Sequence, residues 1–280
     1  GAKALLADAK RQSAGRVTSP PDLLLLMSAP VGEEAVLRGV QSILGDVTVF
    51  GGSSADESVL NGTEPGGWWQ LCGTASAEAW RVSKNSVVMA GLYLRHPDAC
   101  QCSIGSVYIP TKHKGIATAG EGRVIRTVGG KPAAQVLDGW CGGALQRQKS
   151  TGGGVVRAAA LFPLDVRAKK QKRPRLVHMK RVLPDGAIEC FGPVSQGQEL
   201  RLNSRKIADI PASVRELVVN AAKAATSPVK LALVDVCAGS ASTLPDLAVL
   251  TNEVEAGLAA ALASPPQFLC FFTFGEQGMV

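Results

Sequence analysis

Val47-Thr48-Val49-Phe50-Gly51-Gly52-Ser53-Ser54, near the start of the chain, is answered near its end by Phe271-Phe272-Thr273-Phe274-Gly275-Glu276-Gln277-Gly278. Each is a short apolar run that breaks into glycine and small polar residues. Each also follows the same kind of prelude. Asp22-Leu23-Leu24-Leu25-Leu26-Met27, with Pro20-Pro21 before it and Pro30 after it, reads as a strand buried on both faces. Residues 32–44 then place Val36, Leu37, Val40, Ile43 and Leu44 on one helical face, and Gly45 closes the helix. A strand–helix–strand unit this short favours parallel pairing with a right-handed crossover. The second unit has its apolar run at 229–236. Its long helix at 244–263 carries Leu247, Leu250, Val254, Leu258 and Leu262 on one stripe, and Ser264-Pro265-Pro266 ends it before a closing strand at 267–274.

Between the two units the pattern is mostly strand. Residues 55–67 read as a polar loop, 68–80 and 86–94 as strands, and 100–109 as a third. Residues 115–128 read as a hairpin around Gly120-Glu121-Gly122. A helix starts at Lys131-Pro132 and stops at Gly142-Gly143, with Val136, Leu137 and Trp140 facing inward. Thr151-Gly152-Gly153-Gly154 is expected to be a flexible joint, and 155–166 and 176–183 to be strands. Pro184-Asp185-Gly186 is a turn, and 211–225 is a helix. The predicted class is α/β, mixed with α+β: two pseudo-similar halves, mixed β-sheets in the interior and helices on the outer faces.

Composition narrows the function. Of 280 residues 46% are hydrophobic and 19% charged, so a sizeable core is expected and disorder is excluded as the dominant state. The formal net charge is +7, and much of the excess lies in Arg167, Lys169, Lys170, Lys172, Arg173 and Arg175. Such a run is either a solvated loop between strands or a contact for an acidic or nucleic-acid partner. Seven cysteines, an odd count without a CxxC pair, fit a reducing intracellular compartment, either cytoplasm or an organelle matrix such as the mitochondrial one. No apolar run is long enough to span a bilayer. The three histidines, His96, His113 and His178, lack zinc-ligand spacing. There is no GxSxG elbow, HExxH or dinucleotide fingerprint, so no catalytic residue, metal ligand or enzyme activity is expected.

Residues 22–54 resemble the opening of the FIST sensory domain, in which an apolar strand, a helix and a GGSS turn follow in that order. Residues 231–278 resemble the FIST C-terminal domain through Leu233-Val234-Asp235-Val236-Cys237-Ala238-Gly239, Asn252-Glu253-Val254-Glu255 and Thr273-Phe274-Gly275-Glu276-Gln277-Gly278. Gly130-Lys131-Pro132-Ala133 resembles the joining stretch. The resemblance divides the chain into an N-terminal extension at 1–21, a FIST N-like half at 22–114 and a FIST C-like half at 115–280. It implies a non-catalytic intracellular sensory module that takes a small ligand such as an amino acid and works beside signalling proteins. Some relatives bind haem and sense nitric oxide, which makes haem the one cofactor the resemblance raises.

The ligand-binding residues expected on this basis are Gly51, Gly52, Ser53, Ser54, Cys237, Gly239, Ser240, Gly275 and Glu276. The 51–54 turn offers backbone N–H groups and hydroxyls to an anion, or its glycines merely permit an unusual backbone. Glu276 either binds a ligand ammonium or accepts hydrogen bonds from its own turn. Cys237 is a thiol near a helix start or inert packing. Ser240 stands where relatives often carry arginine, and the chain stops at Val280, soon after the Gly-Glu turn. With the basic run, these features motivate an alternative: a structural or interaction subunit of a large assembly, organellar or RNA-containing, that keeps the fold without the ligand.

Overall fold

The computed structural model describes residues 1–30, 32–56, 67–73, 80–97, 100–169 and 173–279. The chain opens with α1 (Ala2–Gln12), β1 (Leu23–Ser28), α2 (Glu33–Leu44) and β2 (Thr48–Ser53). A small hairpin, β3 (Gln70–Cys72) with β4 (Arg81–Ser83), precedes β5 (Val87–Leu92). Next come β6 (Ile109–Glu121), β7 (Val124–Val128), β8 (Lys131–Pro132), α3 (Ala133–Trp140), α4 (Gln146–Thr151), β9 (Gly153–Gly154) and α5 (Val156–Ala159). β10 (Leu164–Arg167), β11 (Arg175–Val177), β12 (Met179–Val182), β13 (Ile188–Cys190) and β14 (Glu199–Ser204) complete the middle. The chain then runs through α6 (Ile210–Lys223), β15 (Leu231–Cys237), the single turn α7 (Ala238–Ala241), α8 (Ala248–Ala261) and β16 (Gln267–Met279).

The two strand–helix–strand units share one five-stranded sheet of order β15-β16-β2-β1-β5. β1 pairs parallel with β2, and β15 parallel with β16, as a helical crossover requires. The units are joined by β16. It runs parallel to β15 up to the pair Cys237↔Thr273, then antiparallel to β2 from Phe274↔Ser53 to Met279↔Val49. The carboxyl ends of β2 and β15 therefore arrive at the middle of β16 from opposite directions.

Leu24, Leu26 and Val49 are fully buried beneath α2, with Val40 and Leu44 of that helix and Ala2 of α1. Each fully buried leucine contributes about 2 kcal/mol by leaving water. On the other unit α6 and α8 pack on each other and on Val234, Val236, Phe268 and Phe272. The second sheet has nine strands, with β11-β10-β14-β6-β7-β13-β12-β9 in order and β8 beside β7. Its core gathers Ile125, Leu137, Leu145, Leu164, Met179, Ile188, Leu200 and Leu202 against α3.

Several expectations are corrected. Gly51-Gly52-Ser53 stays within β2, and β16 continues past Gly275-Glu276 instead of ending there. Gly275 and Glu276 together stand opposite Gly52, the two-against-one count of a β-bulge, with Gly275 at φ +66°. Residues 100–108 are irregular, and the third strand begins only at Ile109. The apolar stretch after Gly154 is first helical, in α5, and becomes a strand at Leu164. Gly153-Gly154 is a strand paired with β12, so the flexible joint is instead part of a sheet. The strand expected over 176–183 is divided at His178 into β11 and β12. The last helix begins at Ala248, four residues later than the stripe suggested, and its 14 residues equal those of α6. The expected loop at 55–67 lies mostly outside the described residues, as do 74–79 of the first expected strand.

A candidate ligand site where the strands meet

Polar side chains collect where β2 and β15 reach β16. Ser53 Oγ donates to Glu33 Oε1 at 2.9 Å, so the 3.2 Å contact with Ser28 Oγ has Ser28 as the donor. Glu33 and Glu34 open α2, where the helix N-terminus favours carboxylates. Arg123, from the β6–β7 hairpin of the other sheet, reaches Glu33 Oε2 at 3.2 Å and Glu34 Oε2 at 3.0 Å and also donates to the Phe191 carbonyl. The position a Cβ would take on Gly275 is 3.6 Å from Ser53 Oγ and 3.7 Å from Glu33 Oε1, so the bulge forms the wall of this cluster.

A second cluster lies across the bulge. Thr273 Oγ1 contacts both carboxylate oxygens of Asp235, at 3.0 and 2.8 Å. Glu276 accepts hydrogen bonds from its own backbone amide and from the Cys237 thiol, so its turn satisfies part of the carboxylate, while its Oε1 is buried with no hydrogen-bond partner among the described residues. Tyr108 Oη lies 2.8 Å from the Ala160 carbonyl and 2.7 Å from Ser240 Oγ. A carbonyl only accepts, so Tyr108 donates to Ala160 and Ser240 donates to Tyr108. The Tyr108 ring meets the His178 ring edge-on at 5.6 Å, and His178 Nε2 is also buried without a partner among the described residues.

Burial dominates the electrostatics here. It pushes the Asp235 carboxyl up to about 7; the hydrogen bond from Thr273 opposes this, and the Glu276 charge adds to it. Burial raises Glu276 as well. The Cys237 thiol is driven far above its usual range by burial and then by the neighbouring Glu276. Tyr108 is raised for the same first reason, burial. Burial lowers His178 to about 4, which keeps its imidazole neutral. A thiol held this firmly protonated is a poor nucleophile.

The structure thus brings Gly51, Gly52, Ser53, Cys237, Ser240, Gly275 and Glu276 to one junction. Gly239 is buried beside Cys237, and the Ser54 amide bonds the Ser28 carbonyl at 2.9 Å. The basic residues lie elsewhere: Arg167 of β10 pairs with Glu199, Arg175 of β11 donates to the Pro193 carbonyl, and Lys169 and Arg173 are exposed. Lys170 and Lys172 lie outside the described residues. Ser28, Glu33, Tyr108, Arg123, Asp235 and Thr273 were missed as site residues. Asp235 and Thr273 carried a readable signal, a lone polar residue inside an apolar strand. Tyr108, in the irregular stretch just before β6, and Arg123, in the β6–β7 turn, reach the junction from the side of the second sheet and had none. All seven cysteines are free thiols.

The histidines do not suit haem. His96 is exposed in the turn after β5, His113 stacks on Trp140 at 6.2 Å, and His178 packs edge-on against the Tyr108 ring with its Nε2 buried. An axial ligand needs an imidazole opening on an apolar pocket.

Arg123 ties the second sheet to the first through groups that are mostly shielded, with 20% exposure for its side chain and 19% for that of Glu33. Arg123→Met is expected to cost about 2 kcal/mol, less than a fully buried pair because the helix N-terminus still favours the two carboxylates. Urea denaturation followed by circular dichroism measures this; an unchanged midpoint would mean the bridge does not hold the sheets together.

Two crossover units on one sheet, with a second sheet supplying side chains to the strand ends, define an α/β domain organised around a polar junction. Family models assign it: the FIST N domain matches residues 2–131 and the FIST C domain residues 133–279. The chain belongs to the FIST family, whose domains are associated with signal transduction and small-ligand sensing. No curated protein and no solved structure matches it. Among the described residues no helix is long and apolar enough to cross a membrane.

Proposed function

We propose that the chain is a non-catalytic sensory module that binds a small amine-bearing ligand, with amino acids the first class to test, at the junction of β2, β15 and β16. The observation that carries this reading is Glu276: a carboxylate on a glycine bulge, buried, with one oxygen lacking a donor among the described residues. A buried acceptor left without a partner costs about 1–3 kcal/mol, more when charged, and a ligand ammonium would remove that cost. Asp235 stands in the same field and would share the positive charge. Ser240, its hydroxyl committed to Tyr108, stands where a guanidinium would grip a carboxylate, which favours recognition through the amine end. The protonated Cys237 supports a binding role over a thiol enzyme. Ligand on the bulge would be felt by both crossover units, because β16 is a strand of each.

The test is thermal denaturation with a panel of amines, amino acids and amine-free carboxylic acids. At about a hundredfold excess over Kd a ligand should add about 2.7 kcal/mol, raising Tm by roughly 5 °C or more. The rise should follow the amine and vanish in Glu276→Gln. A panel without any shift, or one that Glu276→Gln leaves intact, would remove the sensor reading and favour the structural subunit.

A further inference from the structure

Away from the junction, a groove of about 380 Å³ opens between β6, the β7–β8 turn and α3, lined by Lys114, Gly115, Val128, Lys131, Val136 and Trp140, among others. It shares no residue with the strand-end site. The apolar part of its floor is Val128, Val136 and the edge of the Trp140 indole, and the polar part, from Lys114, Lys131, Gln135 and the glycine backbone, is at least as large. That floor depends on residue 115 being glycine: a Cβ there would lie 2.9 Å from Val128 Cγ1 and 3.3 Å from the Trp140 ring. The indole is braced by His113, whose ring stacks on it at 6.2 Å with 22° between the planes.

The rim is cationic. Lys114 projects from β6 and Lys131 from β8, both exposed, and neither forms an ion pair among the described residues. Among the described residues none that lines the groove is acidic, so both ammonium groups act on its contents without an opposing charge in the lining. The glycine turn adds no anion nest: the Gly129 amide already bonds the Ile116 carbonyl at 3.0 Å, and the Gly130 amide bonds Thr118 Oγ1 at 2.9 Å. Recognition of an anion therefore falls to the two lysines, and recognition of a flat apolar body to the indole and the valines. Pockets of this size that combine an apolar floor with a few polar groups are the usual form of small-molecule sites.

We propose that this groove is a second binding site, for a planar ring compound carrying one anionic group, the ring lying on Trp140, Val128 and Val136 and the anion between Lys114 and Lys131. A nucleoside monophosphate and an aromatic carboxylate share this chemistry.

The test follows the indole N–H resonance of Trp140, assigned with Trp140→Phe, while the full chain is titrated with AMP, indole-3-carboxylate, adenosine or inorganic phosphate. AMP or indole-3-carboxylate should move that resonance saturably, with adenosine and phosphate each binding more weakly. Whichever of the two anions binds more tightly identifies the source of the ligand. Lys114→Ala/Lys131→Ala, which alters only exposed side chains, should weaken binding about tenfold or more. Added salt should weaken it too. The proposal is overturned if neither anion moves the Trp140 resonance at millimolar concentration, if adenosine binds as tightly as AMP, or if the double lysine variant binds unchanged.

Discussion

Gly51→Ala is expected to lose about 4 kcal/mol or more, a large fraction of the stability of an ordinary domain. A Cβ at this position would lie 1.9 Å from the Leu26 carbonyl oxygen, a backbone atom of the neighbouring strand that cannot turn aside. Gly51 also sits at φ +148°, a region L side chains rarely adopt. The β1–β2 ladder would have to separate at the register pair Leu26↔Gly51. Gly52→Ala should cost less, about 2 kcal/mol. Its Cβ would come 2.1 Å from Thr273 Oγ1, a side-chain atom that can rotate away at the expense of its bonds to Asp235. Gly39→Ala, inside α2 with nothing within 4 Å, should stabilise by about 0.5–1 kcal/mol. Urea denaturation of the three variants orders them. If Gly51→Ala unfolds at the wild-type midpoint, the close approach of β1 and β2 is wrong.

The second large effect concerns pH. The Asp235 carboxyl titrates at about 7 in the folded chain against an ordinary 3.8. Between those values the folded state holds a proton that the unfolded state has released. Asp235 therefore contributes stability below pH 4 that is lost as pH rises through 7, on the order of 4 kcal/mol in all. His178 works in the opposite sense. Its folded value is about 4 against 6.5, so its contribution is present above 6.5 and lost as pH falls through 4, on the order of 3 kcal/mol. The two slopes largely cancel between pH 4 and 6.5. Asp235→Asn, which keeps an acceptor for Thr273, should expose the His178 slope. Relative to wild type it should be equally stable near pH 4 and more stable by the full Asp235 contribution near pH 8. The difference between the two unfolding free energies, measured at pH 4.5, 6 and 8, is the readout. A difference independent of pH would show that Asp235 is ionised throughout.

Much of the scaffold was readable in the chain. β1 is a nearly continuous apolar run, and β15 and the first part of β16 are apolar runs broken only by Asp235 and Thr273 after their first residues. All are bounded by proline or glycine, and α2 is a clean amphipathic stripe closed by Gly45. Their mutual arrangement was not readable, because the pairing of β16 with β2 joins residues far apart in sequence. Gly275-Glu276 looked like the end of a strand, since a left-handed glycine serves a turn and a bulge equally well. The stretch Val155-Val156-Arg157-Ala158-Ala159-Ala160-Leu161 has the pattern of a strand yet is helical at first, the usual ambiguity of a short apolar run. At the candidate site, the glycines and Glu276 are the residues the family resemblance points to. Arg123 and Tyr108 are ordinary residues whose importance comes only from the second sheet lying against the strand ends.

The double duty of β16 bears on biosynthesis. As the polypeptide emerges from the ribosome, β1, α2 and β2 can associate early, yet one side of β2 has no hydrogen-bonding neighbour until residues 274–279 are made. An open strand edge of that kind invites pairing with other nascent chains. Cutting the gene between the two family segments would leave the edge bare permanently. The halves are therefore interdependent as folding units, and shielding by a chaperone matters most in the interval before the final strand docks.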